Sequence, residues 1–220
     1  MPTDNELLSL AEAAVVAAVT VRDINRVIDE RILPNRLYTL KGGRRLQFAA
    51  CPMVGFYFHA ARELTAETRT LLIHRLFEQM GSGTTRLPNP RWRKNLRPDD
   101  WTVRHGFLTV SLWEFATGAE DRRAKLAKAR EMVVEDPEIL SGTPVVRGTR
   151  IPVYDIAASV SAGLSSERLR SAYPALDNRM IELATIYAEA VPRRGRPRRL
   201  VAPPEARIVS ESKVTRRRHA

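Results

Sequence analysis

Cysteine is nearly absent: Cys51 is the single one in 220 residues. This excludes a disulfide within the chain and suits a reducing, cytoplasmic setting. No apolar run approaches the roughly 20 residues needed to cross a membrane. The first thirty residues also lack the basic start and apolar stretch of a secretory signal. Catalytic signatures are missing too: there is no Walker loop, no His-Glu-x-x-His and no Cys-x-x-Cys. His59 and His74 have no ligand-type residue at metal spacing and read as packing or surface side chains. The acidic pairs Asp99-Asp100, Glu120-Asp121 and Glu135-Asp136 lie beside loops, where helix-end preference or solubility explains them. The expectation is therefore a cytoplasmic protein that is not an enzyme, with no metal and no cofactor. Cys51 is expected to act as a small buried apolar residue.

What the chain does have is positive charge. The formal net charge is +11, which points to an acidic partner, either nucleic acid or protein. The segment from Arg193 to the end holds nine Arg and one Lys against Glu205 and Glu211, a net of +8. The other 192 residues carry only +3. Pro192, Pro197, Pro203 and Pro204 break any helix in this tail, and its apolar content is too low for it to fold alone.

At the other end, Ser9-Leu10-Ala11-Glu12 reads as a capping box that starts a helix. Leu10, Ala13, Ala14 and Ala17 form its apolar stripe. Thr20-Val21-Arg22-Asp23 is a second box. Val21, Ile24, Val27 and Ile28 face inward from it, and Arg22, Asn25, Arg26 and Asp29 face outward. Two capped helices joined near Val19 make a helix-turn-helix whose second helix is the candidate reader of DNA. Leu33-Pro34 ends that helix. Strands over Arg36 to Leu40 and Arg44 to Phe48 are expected to flank Lys41-Gly42-Gly43, a two-glycine turn. Lys41, Arg44 and Arg45 would then sit near a wing tip. The pattern over residues 7 to 50 resembles the MerR and excisionase type of winged helix. The candidate DNA-binding residues are Arg22, Asn25, Arg26, Lys41, Arg44 and Arg45.

Helices are expected over Met53 to Arg62 and after a Thr65 cap, with Leu71, Leu72, Leu76 and Met80 on one face. Gly81 to Thr85 and Pro88-Asn89-Pro90 mark a linker, made basic by Arg86, Arg91, Arg93, Lys94 and Arg97. Trp101 to Arg104 and Phe107 to Val110 flank His105-Gly106, a hairpin signal. A short helix around Ser111 to Ala116 and a charged one over Glu120 to Met132 follow. Short edge strands tend to be paired, which points to a homodimer.

Residues 142 to 153 read Gly-Thr-Pro-Val-Val-Arg-Gly-Thr-Arg-Ile-Pro-Val. Physically this is a hairpin: Val145-Val146 in one strand, Arg147-Gly148 as the turn, Ile151 and Val153 resuming the strand. Gly148 is where a positive φ is needed. A Gly-Leu-Ser turn at Gly163, Tyr173-Pro174 and a helix over Asp177 to Ala190 follow. Residues 135 to 191 closely resemble a small domain of unknown function found in VapB-type antitoxins, which pair with PIN-domain ribonuclease toxins. The motif residues Gly142, Pro144, Gly148, Thr149, Arg150 and Pro152 are read as a structural turn.

The fold class expected is mainly α with small β-hairpins (α+β). Residues 1–80 form a winged helix-turn-helix, 81–100 a basic linker, 101–191 the hairpin and three-helix module, and 192–220 a disordered basic tail. The resemblance implies a type II antitoxin that neutralises a PIN-domain ribonuclease and binds operator DNA to regulate its own operon. Such nucleases gather acidic side chains around a divalent metal, a site that guanidinium groups fit by bidentate pairing. Arg193, Arg194, Arg196, Arg198 and Arg199, with Leu200 and Val201 as apolar anchors, are the candidate toxin-binding residues. A stand-alone DNA-binding regulator, its tail coating phosphate, fits the composition equally well. A third reading assigns DNA contact to Ser165 to Ala172, with Arg168 and Arg170 outward.

Overall fold

A computed structural model of the chain describes residues 6–81 and 97–193. The architecture is mainly helical with small antiparallel hairpins, an α+β fold. It opens with a short strand β1 (Leu7–Ser9) running into helix α1 (Leu10–Ala17), and α2 (Val21–Asp29) follows. Both capping boxes form. Ser9 N donates to Glu12 Oε2 at 2.7 Å while Glu12 N donates to Ser9 Oγ at 3.3 Å. Thr20 and Asp23 repeat the exchange at 3.0 and 3.2 Å. These bonds satisfy donors that an uncapped helix would leave open. The turn between the helices passes through Ala18 in the left-handed region, φ 55°.

The wing is β2 (Tyr38–Thr39) and β3 (Arg45–Gln47), shorter than the sequence suggests. Gly42 and Gly43 take φ of 72° and 107° at its tip. β1, which the sequence did not announce, pairs antiparallel with β3 and makes the wing the edge of a three-stranded sheet. Helices α3 (Cys51–His59) and α4 (Ala66–Gly81) follow and pack on each other, and α3 also packs on α1. Cys51 is fully buried, and burial pushes its thiol pKa far up, so it packs as an apolar residue. His59 Nδ1 lies 2.8 Å from Gly55 O, and His74 Nε2 lies 3.2 Å from Ile32 O.

Three expectations for the middle of the chain are corrected. The hairpin β4 (Thr102–His105) and β5 (Leu108–Ser111) forms in register, but it belongs to the N-terminal core. Trp101, Val103 and Leu112 are completely buried in the same cluster as Ile24, Val27 and Leu76. The two packing clusters meet along a single helix. That helix is α5 (Trp113–Met132), one continuous element where two were expected. Its first half, through Leu126, packs with the N-terminal core, and from Ala129 it packs with the second. Gly118 accounts for the break suggested by the sequence. It stays helical and leaves room for the Arg122 guanidinium, 3.1 Å from where a Cβ would stand.

The third correction concerns the 142–153 motif. Val145–Val146 form a strand, β7, whose partner is β6 (Val133–Val134) upstream. The downstream side contributes one bridge, Val145 to Pro152, and Val153 opens helix α6 (Val153–Ser161). Proline has no N–H for a second ladder and its φ suits a helix start. The turn is as expected: Gly148 takes φ 76°, Thr149 N donates to Val146 O at 3.0 Å, and Thr149 Oγ1 donates to the same oxygen at 2.8 Å. Arg147 turns back on α5, with Nε and Nη2 donating to Glu131 O at 3.0 and 2.7 Å. It thus satisfies a carbonyl of the last helical turn. Helices α7 (Ser166–Ala172) and α8 (Asn178–Ala190) complete the expected three-helix unit.

Candidate nucleic-acid interface

The outward face of α2 and the wing form one surface. Residues 20–47 hold seven basic and three acidic side chains, a net of +4. Ile24, Val27 and Ile28 anchor α2 in the core, so the opposite side of the helix must face solvent. Arg22 and Arg26 are exposed there and Asn25 is half-exposed. Lys41, Arg44 and Arg45 are exposed on the wing.

The structure ties helix and wing together through Arg44. Its Nη1 donates to Asn25 Oδ1 at 2.8 Å, and its Nη2 lies 2.7 Å from Asp29 Oδ1. Asn25 Nδ2 is also engaged, donating to Val21 O at 3.1 Å. Arg26 is held by Glu30 at 2.8 Å. Three of the six sequence-derived candidates thus have intramolecular partners. Among the described residues, Arg22, Lys41 and Arg45 make no side-chain hydrogen bond or ion pair. Two further basic residues, Arg31 and Arg36, lie between helix and wing in the chain and are exposed. Sequence reasoning passed over them because neither sits on the helix face or the wing tip; their charge was the available signal.

Of the tail candidates, Arg193 is described. Its guanidinium lies 4.6 Å from the centre of the Tyr154 ring and 3.5 Å from Asp155 Oδ1. Tyr154 Oη donates to Val191 O at 2.7 Å. The root of the tail therefore rests on the first turn of α6, directly after the 142–153 motif. Arg194, Arg196, Arg198, Arg199, Leu200 and Val201 lie outside the described residues.

The C-terminal unit also contains a helix-turn-helix, α6 to α7, with Gly163 at φ 87° in the turn. Arg168 and Arg170 are exposed on α7. This helix has 7 residues against 9 in α2, and among the described residues no hairpin follows it to make a wing.

Comparison with known proteins gives a family match that begins just past the end of α5. Residues 133–188, from the first residue of β6 into α8, match a family described as Protein of unknown function (DUF433). The chain is 52% identical over 219 residues to "Uncharacterized protein y4eO" of Sinorhizobium fredii, covering 99% of this chain and 97% of that one. The crystal structure of Rv2018 from Mycobacterium tuberculosis aligns over 84% of this chain and 98% of its own, at 17% identity and a TM-score of 0.33. That likeness is too loose to transfer anything. The near full-length identity is decisive: the chain belongs to the family of the Sinorhizobium protein and carries a DUF433 domain at residues 133–188.

Proposed function

We propose that this protein is a type II antitoxin that binds operator DNA through α2 and its wing and a PIN-domain ribonuclease through its C-terminal region. The observation that carries the DNA half is the basic α2–wing surface, with Arg22, Lys41 and Arg45 unengaged. A reader helix places its outward side chains against base edges while a basic hairpin grips phosphate. The toxin half rests on the DUF433 domain, a family associated with antitoxin-like proteins, and on the arginine-rich segment that follows it. A homodimer would set two reader helices over a palindromic site.

The test is a pull-down from the native host after nuclease treatment, with the full chain and a chain stopped at Val191 as baits. A PIN-type protein held by the full chain and lost with the shorter one is the expected result. No stable protein partner with either bait would leave the stand-alone DNA-binding regulator, a reading the α2–wing surface favours because it needs no protein partner.

Two further outcomes follow from the side-chain contacts. Arg22→Ala should weaken operator binding more than Arg26→Ala, because Arg26 must first leave Glu30. If Arg22 makes a bidentate base contact, discrimination at that base falls by about 1–3 kcal/mol. Unchanged affinity in both variants, measured by fluorescence anisotropy, would point to another surface such as α7. Lys41→Ala and Arg45→Ala should each reduce the slope of log K against log salt by about one, with little change in sequence preference.

A further inference from the structure

A groove of about 540 Å³ opens at the turn between α1 and α2. Ala14, Val15, Ala18 and Val19 form its floor, and Ile186 of α8 walls it from the opposite side. Its volume falls within the range of roughly 300–1,000 Å³ seen for small-molecule sites, and its lining is mostly apolar. At one edge stand Arg122 and Lys125 of α5, and Glu189 of α8 also reaches the rim.

The two cations are not equivalent. Lys125 is exposed and paired with Glu182 at 2.6 Å. Arg122 is half-buried and has no acidic partner within salt-bridge distance among the described residues. Its Nε donates to Val16 O at 2.7 Å, which caps α1, a helix with no basic residue in its own last turn. The two Nη groups, lying over Gly118, make no hydrogen bond among the described residues. Burial lowers the Arg122 pKa, a sign that solvation of this cation is incomplete. A guanidinium with two open donor groups beside an apolar floor is complementary to a carboxylate carrying an apolar body.

We propose that the groove between the α1–α2 turn and α8 is a binding site for a small amphipathic carboxylate, its charged end on the Nη groups of Arg122 and its apolar body over Val15, Val19 and Ile186. An occupant would touch both the turn that leads into α2 and the last helix of the DUF433 domain. The test of this site needs neither DNA nor a protein partner.

The experiment is isothermal titration calorimetry of the full chain with decanoate, with decanol and decyltrimethylammonium as neutral and cationic controls. Saturable binding of decanoate alone is expected. Arg122→Gln should weaken it about tenfold, and Ala11→Trp, which fills the groove from the half-buried face of α1, should abolish it. Lys125→Gln serves as the second charge variant should Arg122→Gln fail to fold by circular dichroism, and a measurable weakening is expected there too. Absence of saturable decanoate binding overturns the site. Equal binding of decanol, or decanoate binding that survives Ala11→Trp in a folded protein, overturns it equally.

Discussion

Trp101→Ala is expected to lower the unfolding free energy by about 3–5 kcal/mol. Trp101 is 0% exposed and shares a core with Ile24 and Val27, the residues that seat α2. It also closes the β4–β5 hairpin, its carbonyl accepting from Leu112 N at 2.8 Å. Removing the indole leaves a cavity in this core, which close-packed neighbours fill only in part. Domains of this kind hold only about 5–15 kcal/mol in total, so the loss is a large fraction. Urea unfolding followed by circular dichroism measures it. A change under about 1 kcal/mol would show that the hairpin is an accessory to the core and not part of it. The same geometry predicts that a fragment ending at residue 96 does not fold, because it lacks Trp101, Val103, Leu112, Ala116 and Leu126.

The second large effect is expected at Gly55 in α3. A Cβ there would stand 3.1 Å from Ala17 O and 3.3 Å from Phe115 Cδ1. The first contact is backbone in the last turn of α1. The second belongs to a ring already packed edge-on against Phe56 at 6.0 Å and beside His59 at 5.9 Å. The Ala17 carbonyl cannot yield without moving α1, and the Phe115 ring must rotate out of its packing. Gly55→Val should therefore destabilise by about 1–3 kcal/mol. Gly55→Ala should cost less, since alanine recovers about 1 kcal/mol of helix propensity relative to glycine. Thermal unfolding of both variants decides the matter. A Val variant as stable as the parent would mean that α1, α3 and α5 can separate at this crossing.

Elements whose defining bonds run between close neighbours were legible in the sequence. The two capping boxes, the two-glycine wing tip and the left-handed Gly148 all rest on geometry set by residues a few positions apart. Local chemistry is enough to form them, whereas Val21, expected to face inward from α2, is exposed. The basic α2–wing surface was legible for the same reason, as a stripe left over once the apolar face is buried. Tertiary structure decided which of those charges are unengaged. Arg44 finds Asn25 and Asp29 only when the wing folds back onto α2, a contact across 19 and 15 positions of sequence.

The ownership of strands and cores was also hidden. Val145 and Val146 had plausible partners on both sides, and the choice of Val133–Val134 depended on where α5 ends. The β4–β5 hairpin has the same local pattern whichever core it joins, and only the surface Trp101 buries against assigns it to the first half of the molecule. The sequence by itself determined most of the helices, the turns and the sign of the charge, because periodicity and capping act over one or two turns. The tertiary structure decided which strands pair, that α5 runs unbroken and which arginines are engaged, because each depends on a surface supplied by distant parts of the chain.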